Sequence, residues 1–81
     1  MTKERSDSSL NTSLGEQLRA IRLARGLTQE QLAEELGVSP RYLAGVERAE
    51  RNMSLATVES LAEQLGLTPR IVLDSGADSA G

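Results

Sequence analysis

Eighty-one residues leave room for one domain with a modest core. With no Cys and no His among them, disulfides, zinc fingers, thiol nucleophiles and His-based acid–base catalysis are excluded. Tyr42 is the single aromatic residue, which argues against a platform that stacks several bases, and the net charge of −3 is at first sight wrong for a partner of nucleic acid. No apolar run approaches the roughly 18–20 residues of a membrane span. The opening MTKERSDSS lacks the apolar segment of a secretory signal, so the expected location is the cytoplasm and no membrane partner is inferred.

Met1 to Thr12 is rich in Ser, Thr, Asp and Lys, with Leu10 its one apolar residue after the start, and reads as a disordered arm over 1–12. A domain then occupies 13–73. Ser13 is a candidate cap for a first helix from about Leu14 to Arg25, whose buried face is Leu14, Leu18 and Ile21. Arg19, Arg22 and Arg25 recur at three-residue steps, a pattern that usually marks a solvated face, and Leu23 stands alone on the polar side. Gly26 ends this helix and Leu27 plugs the core. Thr28 followed by Gln31 is a capping box for a second helix that reaches Leu36. Gln29 lies in its first turn, where free amide groups and a polar side chain could together hold a phosphate, or could simply be a polar residue beside a cap.

Gly37 can take a positive φ and stop the second helix, Ser39 caps the next, and Pro40 fits its first position. A third helix is predicted from Pro40 to about Glu47 or Arg48, with Leu43 and Val46 facing the core. Leu32 and Leu36 share one helical face, Leu43 and Val46 another, and the small Ala33 lets the two helices cross closely. Two short helices joined by a glycine turn make a helix-turn-helix, the second helix being the one that enters a DNA major groove; any αα-corner of a small helical protein is the plainer alternative. On the side away from the core stand Arg41, Ala44, Gly45 and Arg48. Arg41 is the best base reader, since its fork matches guanine O6 and N7. Gly45 costs a helix interior close to 1 kcal/mol against Ala, which implies a close approach by DNA or tight packing between helices. Tyr42 is a core-edge ring, a phosphate donor, or both.

The connection RAERNMS places Arg51 and Asn52 where they could reach phosphates without reading sequence. Ser54 caps a fourth helix from about Leu55 to Leu65, with Leu55, Val58, Leu61, Ala62 and Leu65 inward. Gly66 ends it and Leu67 again plugs the core. Thr68 and Pro69 read as the start of a short fifth helix through Ile71, Val72 and Leu73. Three consecutive apolar residues exceed what one face can bury, so Leu65, Leu67, Ile71, Val72 and Leu73 are the candidate seam of a homodimer. DSGADSAG, 74–81, reads as a disordered tail. The fold class is therefore all-α, with five helices and no strand-like alternation. Charge follows the same map: residues 14–73 hold seven Arg and eight Glu, while Arg41, Arg48 and Arg51 outnumber Glu47 and Glu50 around the third helix.

The segment RGLTQEQLAEELGVS, followed by a helix ending in VER, resembles the Cro and phage-repressor family of helix-turn-helix regulators, the XRE family, over about Leu14 to Leu73. Within it, RYLAGVERAERNMSL most resembles the controller proteins of restriction–modification systems, which carry a Tyr, a Gly and a Glu-Arg at this spacing, then Arg-Asn and Ser/Thr-Leu. The resemblance implies a five-helix bundle of the lambda-repressor-like type. It also implies a dimer on double-stranded DNA at tandem palindromic operators, ahead of its own gene and an endonuclease gene. Gln29 would bind phosphate. Ser39, Arg41, Ala44 and Gly45 would face bases or their flanking backbone, while Tyr42, Arg48, Arg51 and Asn52 would clamp the backbone. Arg22 and Glu47 match a buried ion pair that ties the first helix to the end of the third. Controllers often begin this helix with an Arg just before a Thr; Pro40 and Arg41 stand there instead, so no operator sequence carries over.

A generic helix-turn-helix repressor is one competing expectation. Another is a protein-interaction module of the same fold, a co-activator or an antitoxin, which an acidic pI would suit. Catalysis is not expected: Glu34 and Glu35 are adjacent and point in different directions around a helix. No cofactor, metal or small-molecule ligand is inferred.

Overall fold

The structure, a computed structural model, describes residues 3–73, with side chains from Ser9 onward. It holds four helices among the described residues: α1 Lys3–Ala24, α2 Gln29–Leu36, α3 Pro40–Glu47 and α4 Leu55–Gln64. None of them is long and apolar enough to cross a membrane.

The caps do what their chemistry dictates. Thr28 Oγ1 accepts from Gln31 N at 3.1 Å while Gln31 Oε1 accepts from Thr28 N at 2.9 Å, closing the box that starts α2. Gly37 stops α2 at φ 73°, and Val38 N donates back to Ala33 O at 3.0 Å. Ser39 Oγ accepts from Tyr42 N at 3.0 Å and Pro40 takes the first turn of α3, where its missing N–H is no loss. Ser54 starts α4 in the same way through Thr57 N. Gly66, at φ 73°, follows its end.

Leu18, Leu32, Ala33, Leu36, Leu43, Val46, Leu61 and Leu65 form the core, with Leu14, Leu27, Val38, Tyr42 and Met53 packed around it. The centre of this core is α3, which lies against both α1 and α2, while α4 leans on α2. Ala33 is fully buried at the α2–α3 crossing. The α1–α3 crossing depends on Gly15. A β-carbon there would come within 2.5 Å of Val46 O and 2.7 Å of Glu47 O, so helix backbone meets helix backbone at this point.

Four expectations are corrected. First, α1 begins at Lys3, so residues 3–12 are helical rather than a disordered arm, and Ser13 is an interior residue whose Oγ accepts from Gln17 Nε2 at 3.0 Å. KERSDSSLNTS contains weak helix formers but neither Gly nor Pro, and extending a helix already nucleated by packing costs little. Second, the fifth helix is absent: residues 67–73 follow the α4 turn without helix, and Ile71, Val72 and Leu73 are exposed. Six residues close only one or two helical hydrogen bonds, and the β-branched Ile71 and Val72 add nothing to a nucleus without a packing surface. Third, Leu55 and Leu67 are exposed, because one precedes and the other follows the part of α4 that meets its neighbours. Fourth, Leu65, expected both to face inward on the fourth helix and to join the seam, is buried in the core of the single chain. The tail over 74–81 and residues 1–2 lie outside the described residues.

Gly15→Ala should lower stability by about 1–3 kcal/mol, because the clash is with carbonyl oxygens that cannot rotate away. Urea denaturation with an unchanged slope and a lower midpoint is the expected result.

Candidate nucleic-acid interface

A straight helix turns 100° per residue, so Arg41, Ala44 and Arg48 share the face of α3 opposite Leu43 and Val46, with Tyr42 and Gly45 on its flank. Arg41 and Arg48 are exposed and Ala44 is half-buried. Ser39 is exposed beside them, its hydroxyl oxygen already accepting the cap bond. Beyond α3, Ala49 takes φ 63°, and Glu50 N donates to Gly45 O at 2.8 Å, which turns the chain sharply back along the helix.

That reversal lays Arg51 over the flank. Its guanidinium carbon stands 5.1 Å from the centroid of the Tyr42 ring, a cation–π contact. The side chain also covers Gly45, where an added β-carbon would lie 3.1 Å from Arg51 Nε. Gly45 is consequently buried, and the close neighbour it was expected to admit is Arg51. Asn52 is exposed and accepts from Asn11 Nδ2 at 2.8 Å, which ties the connection to α1.

Behind the face, Arg22 reaches Glu47 with two hydrogen bonds, Nε to Oε2 at 2.8 Å and Nη2 to Oε1 at 3.0 Å. Its Nη1 donates to Leu27 O at 3.1 Å. Their side chains are 11% and 3% exposed, so the pair lies in a weakly screened environment. Gln29 Nε2 adds a bond to Glu47 Oε1 at 3.1 Å, so its amide is engaged with this pair and not free for a phosphate alone. Burial opposes the charge of Glu47, but the bonds from Arg22 and Gln29, with the charges of Arg22 and Arg19, outweigh it and hold the carboxyl below the usual range. The bond to Glu47 raises Arg22 against a smaller desolvation effect.

Two acids near α3 are thus taken up in different ways. Glu47 faces inward. Glu50 pairs in solvent with Arg48, at 3.0 and 3.1 Å, which lowers Glu50 and raises Arg48 through the same bonds. Among the described residues Arg41 and Arg51 stand outside any ion pair. Leu67, Ile71, Val72 and Leu73, from the expected dimer seam, all lie exposed near one another in sequence. Asn11, Gly15 and Met53 entered without having been singled out, and Glu50 had been counted only in the charge balance. Only Gly15 carried a sequence signal, as an isolated glycine within a helical pattern.

Two short helices crossing at a buried Ala33, with a left-handed glycine turn between them and an outward polar face on the second, define a helix-turn-helix domain. The chain belongs to the HTH_3 family of helix-turn-helix transcription regulators, of XRE type, whose model matches residues 18–72. It is 48% identical over 46 residues to the immunity repressor protein of Bacillus phage phi105, and 47% identical over 45 residues to the control protein C.SmaI of Serratia marcescens. These alignments cover 57% and 56% of this chain, but 32% and 54% of the relatives, so the chain matches only part of either. Among solved structures, the restriction-modification controller protein C.AhdI of Aeromonas hydrophila superposes with a TM-score of 0.64 at 41% identity, over 73% of this chain and 89% of that one. A hypothetical transcription factor, NHTF, from Neisseria gives a TM-score of 0.66 at 34% identity, over 73% of this chain and 68% of the other.

The lowered Glu47 carboxyl makes the domain acid-sensitive. An unfolded Glu titrates near pH 4.3. The contribution of the pair is therefore complete above that value and lost as pH falls through the lower folded one. Glu47→Gln should cost about 1.5–3 kcal/mol at pH 7, since the part-buried Arg22 loses its charged partner. The variant should also lose stability less steeply than the wild type between about pH 5 and pH 2, which urea melts across that range would reveal.

Proposed function

We propose that this chain is a sequence-specific, double-stranded-DNA-binding transcriptional regulator that acts as a homodimer and controls its own gene in the manner of restriction–modification controllers. The observation that carries the reading is the outward face of α3, where Arg41, Ala44 and Arg48 stand together while Glu47 is withdrawn behind them. Arg41 reads a base edge from the major groove, with Ser39 and Ala44 fitting the neighbouring bases. Arg48, Arg51, Tyr42 and Asn52 hold phosphates along the flank, and the Gln29 main-chain amide offers another contact at the start of α2. Glu50 must release Arg48, or lie beside the backbone, when a phosphate takes its place.

Leu67, Ile71, Val72 and Leu73 supply apolar surface for a two-fold partner. Such a dimer sets two copies of α3 about 34–36 Å apart on a palindromic operator. Weak local positive charge around α3 favours cooperative occupancy of adjacent sites, so that binding rises steeply with concentration. The named likeness to C.AhdI and C.SmaI supports the controller form of this reading. The acidic pI of about 4.9 favours one alternative, a protein-interaction module of the same fold.

Footprinting the protein on the region upstream of its gene should protect paired sites cooperatively. A single uncooperative site would leave a generic regulator, and no binding to any duplex at low or high salt would leave the interaction module. Arg41→Ala should relax preference at one base position at a cost of about 1–3 kcal/mol, whereas Arg51→Ala should weaken all sequences alike and reduce the salt slope by about one. Identical behaviour of the two variants on single-base operator changes would overturn these roles.

A further inference from the structure

An exposed arginine that grips a phosphate ordinarily surrenders much rotamer freedom in doing so. Arg51 is exposed, yet its side chain is supported at both ends. The stem runs over Gly45, where an added β-carbon would lie 3.3 Å from Cγ, 3.7 Å from Cδ and 3.1 Å from Nε. The head lies over the Tyr42 ring at 5.1 Å. That ring is itself half-buried, and its hydroxyl donates to Met53 Sδ at 3.9 Å. The helical spacing i, i+3 places Tyr42 and Gly45 on one flank, beside the face that carries Arg41, Ala44 and Arg48.

We propose that Gly45 is a positioning residue: with Tyr42 it forms a seat that holds the Arg51 guanidinium ready for a backbone phosphate of duplex DNA. The proposal rests on the DNA-binding reading above and assigns Gly45 a role through Arg51 in place of direct approach to DNA. Alanine is the better helix residue at this position, but its methyl group would press on Nε and Cγ. Arg51 can yield by swinging into solvent, because the contact is with a flexible side chain and not with backbone. Folding and binding therefore respond to the substitution in opposite directions.

The test follows the Arg51 Nε–H resonance in the free protein, together with affinity for a duplex that the wild-type chain selects from a random-sequence pool. In the wild type the ring current of Tyr42 shifts the resonance upfield. Gly45→Ala should melt at or above the wild-type temperature, lose that shift, and bind the selected duplex about threefold to tenfold more weakly, the entropy of one re-immobilised side chain. Arg51→Ala should lose at least as much, and Gly45→Ala combined with Arg51→Ala should bind no worse than Arg51→Ala alone. Should Gly45→Ala fail to fold, Tyr42→Leu is read against Tyr42→Phe, which lacks the hydroxyl equally but keeps the ring: Tyr42→Phe should retain the shift, and Tyr42→Leu should lose it and bind more weakly than Tyr42→Phe. Wild-type affinity in Gly45→Ala after loss of the shift, additive losses in the double variant, or no ring shift in the wild type would each overturn the seat. If the wild-type chain selects no duplex, the DNA reading falls and takes the phosphate role with it.

Discussion

The placement of α3 hangs on one carboxylate. Eight residues make too short a helix to persist alone in water, so its direction must be imposed by neighbours. Glu47, at its last turn, receives Arg22 from α1 and Gln29 from α2, while Arg22 also holds Leu27 O in the loop between them. A single acidic group thereby fixes three helices and a connection relative to one another. Desolvating both partners offsets most of the attraction, so the pair defines geometry more than it adds net stability. Because it is buried, it is screened far less than contacts to phosphate would be. Salt that weakens a bound polyanion would leave the helix that faces it in place.

The same pair resolves the charge problem. A chain of net charge −3 can present a face suited to an anion only if its acids are kept away from it. Glu47 is on α3, yet it turns inward and is paired there. Glu50 remains outside and is matched to Arg48, so the exposed surface around α3 keeps only the modest positive charge of Arg41 and Arg51. Such a surface attracts non-specific DNA weakly, which puts the weight of recognition on contacts that demand correct geometry. Rigidity is then worth more than charge. This fits a helix pinned behind by a buried ion pair and flanked by an arginine that rests on an aromatic ring.

Local chemistry was legible in the sequence and long-range packing was not. Thr28, Ser39 and Ser54 announced three helix starts because a cap bonds to an amide only two or three residues away. Gly37 announced the turn for the same reason. Thr68 and Pro69 gave an equally good local signal, but a start signal needs a helix able to survive after it, and residues 70–73 stay exposed in the single chain. The two helix-interior glycines illustrate the limit. Gly15 and Gly45 violate helix propensity alike, yet one lets two backbones touch and the other lies under an arginine. Propensity flags that something approaches; only the tertiary arrangement says what it is. Arg51 and Tyr42, nine positions apart, come together only because Ala49 adopts a left-handed conformation, a state that an Ala in sequence gives no reason to expect.

The core and the uncovered apolar residues also bear on each other. Eight buried hydrophobic side chains among the described residues are a small core for holding α3 in a fixed orientation. Leu10, Leu55, Ile71 and Val72 meanwhile border one apolar groove with Met53, between the first half of α1, the start of α4 and the segment that leaves it. Met53 lies at both places, since it lines this groove and accepts the hydroxyl of Tyr42 beside α3. Any partner that covered the groove would restrain Met53, and through it the ring on which Arg51 rests. On the dimer reading, protomer concentration would then act twice: by mass action on the folded state, and by ordering the flank of the helix that meets DNA.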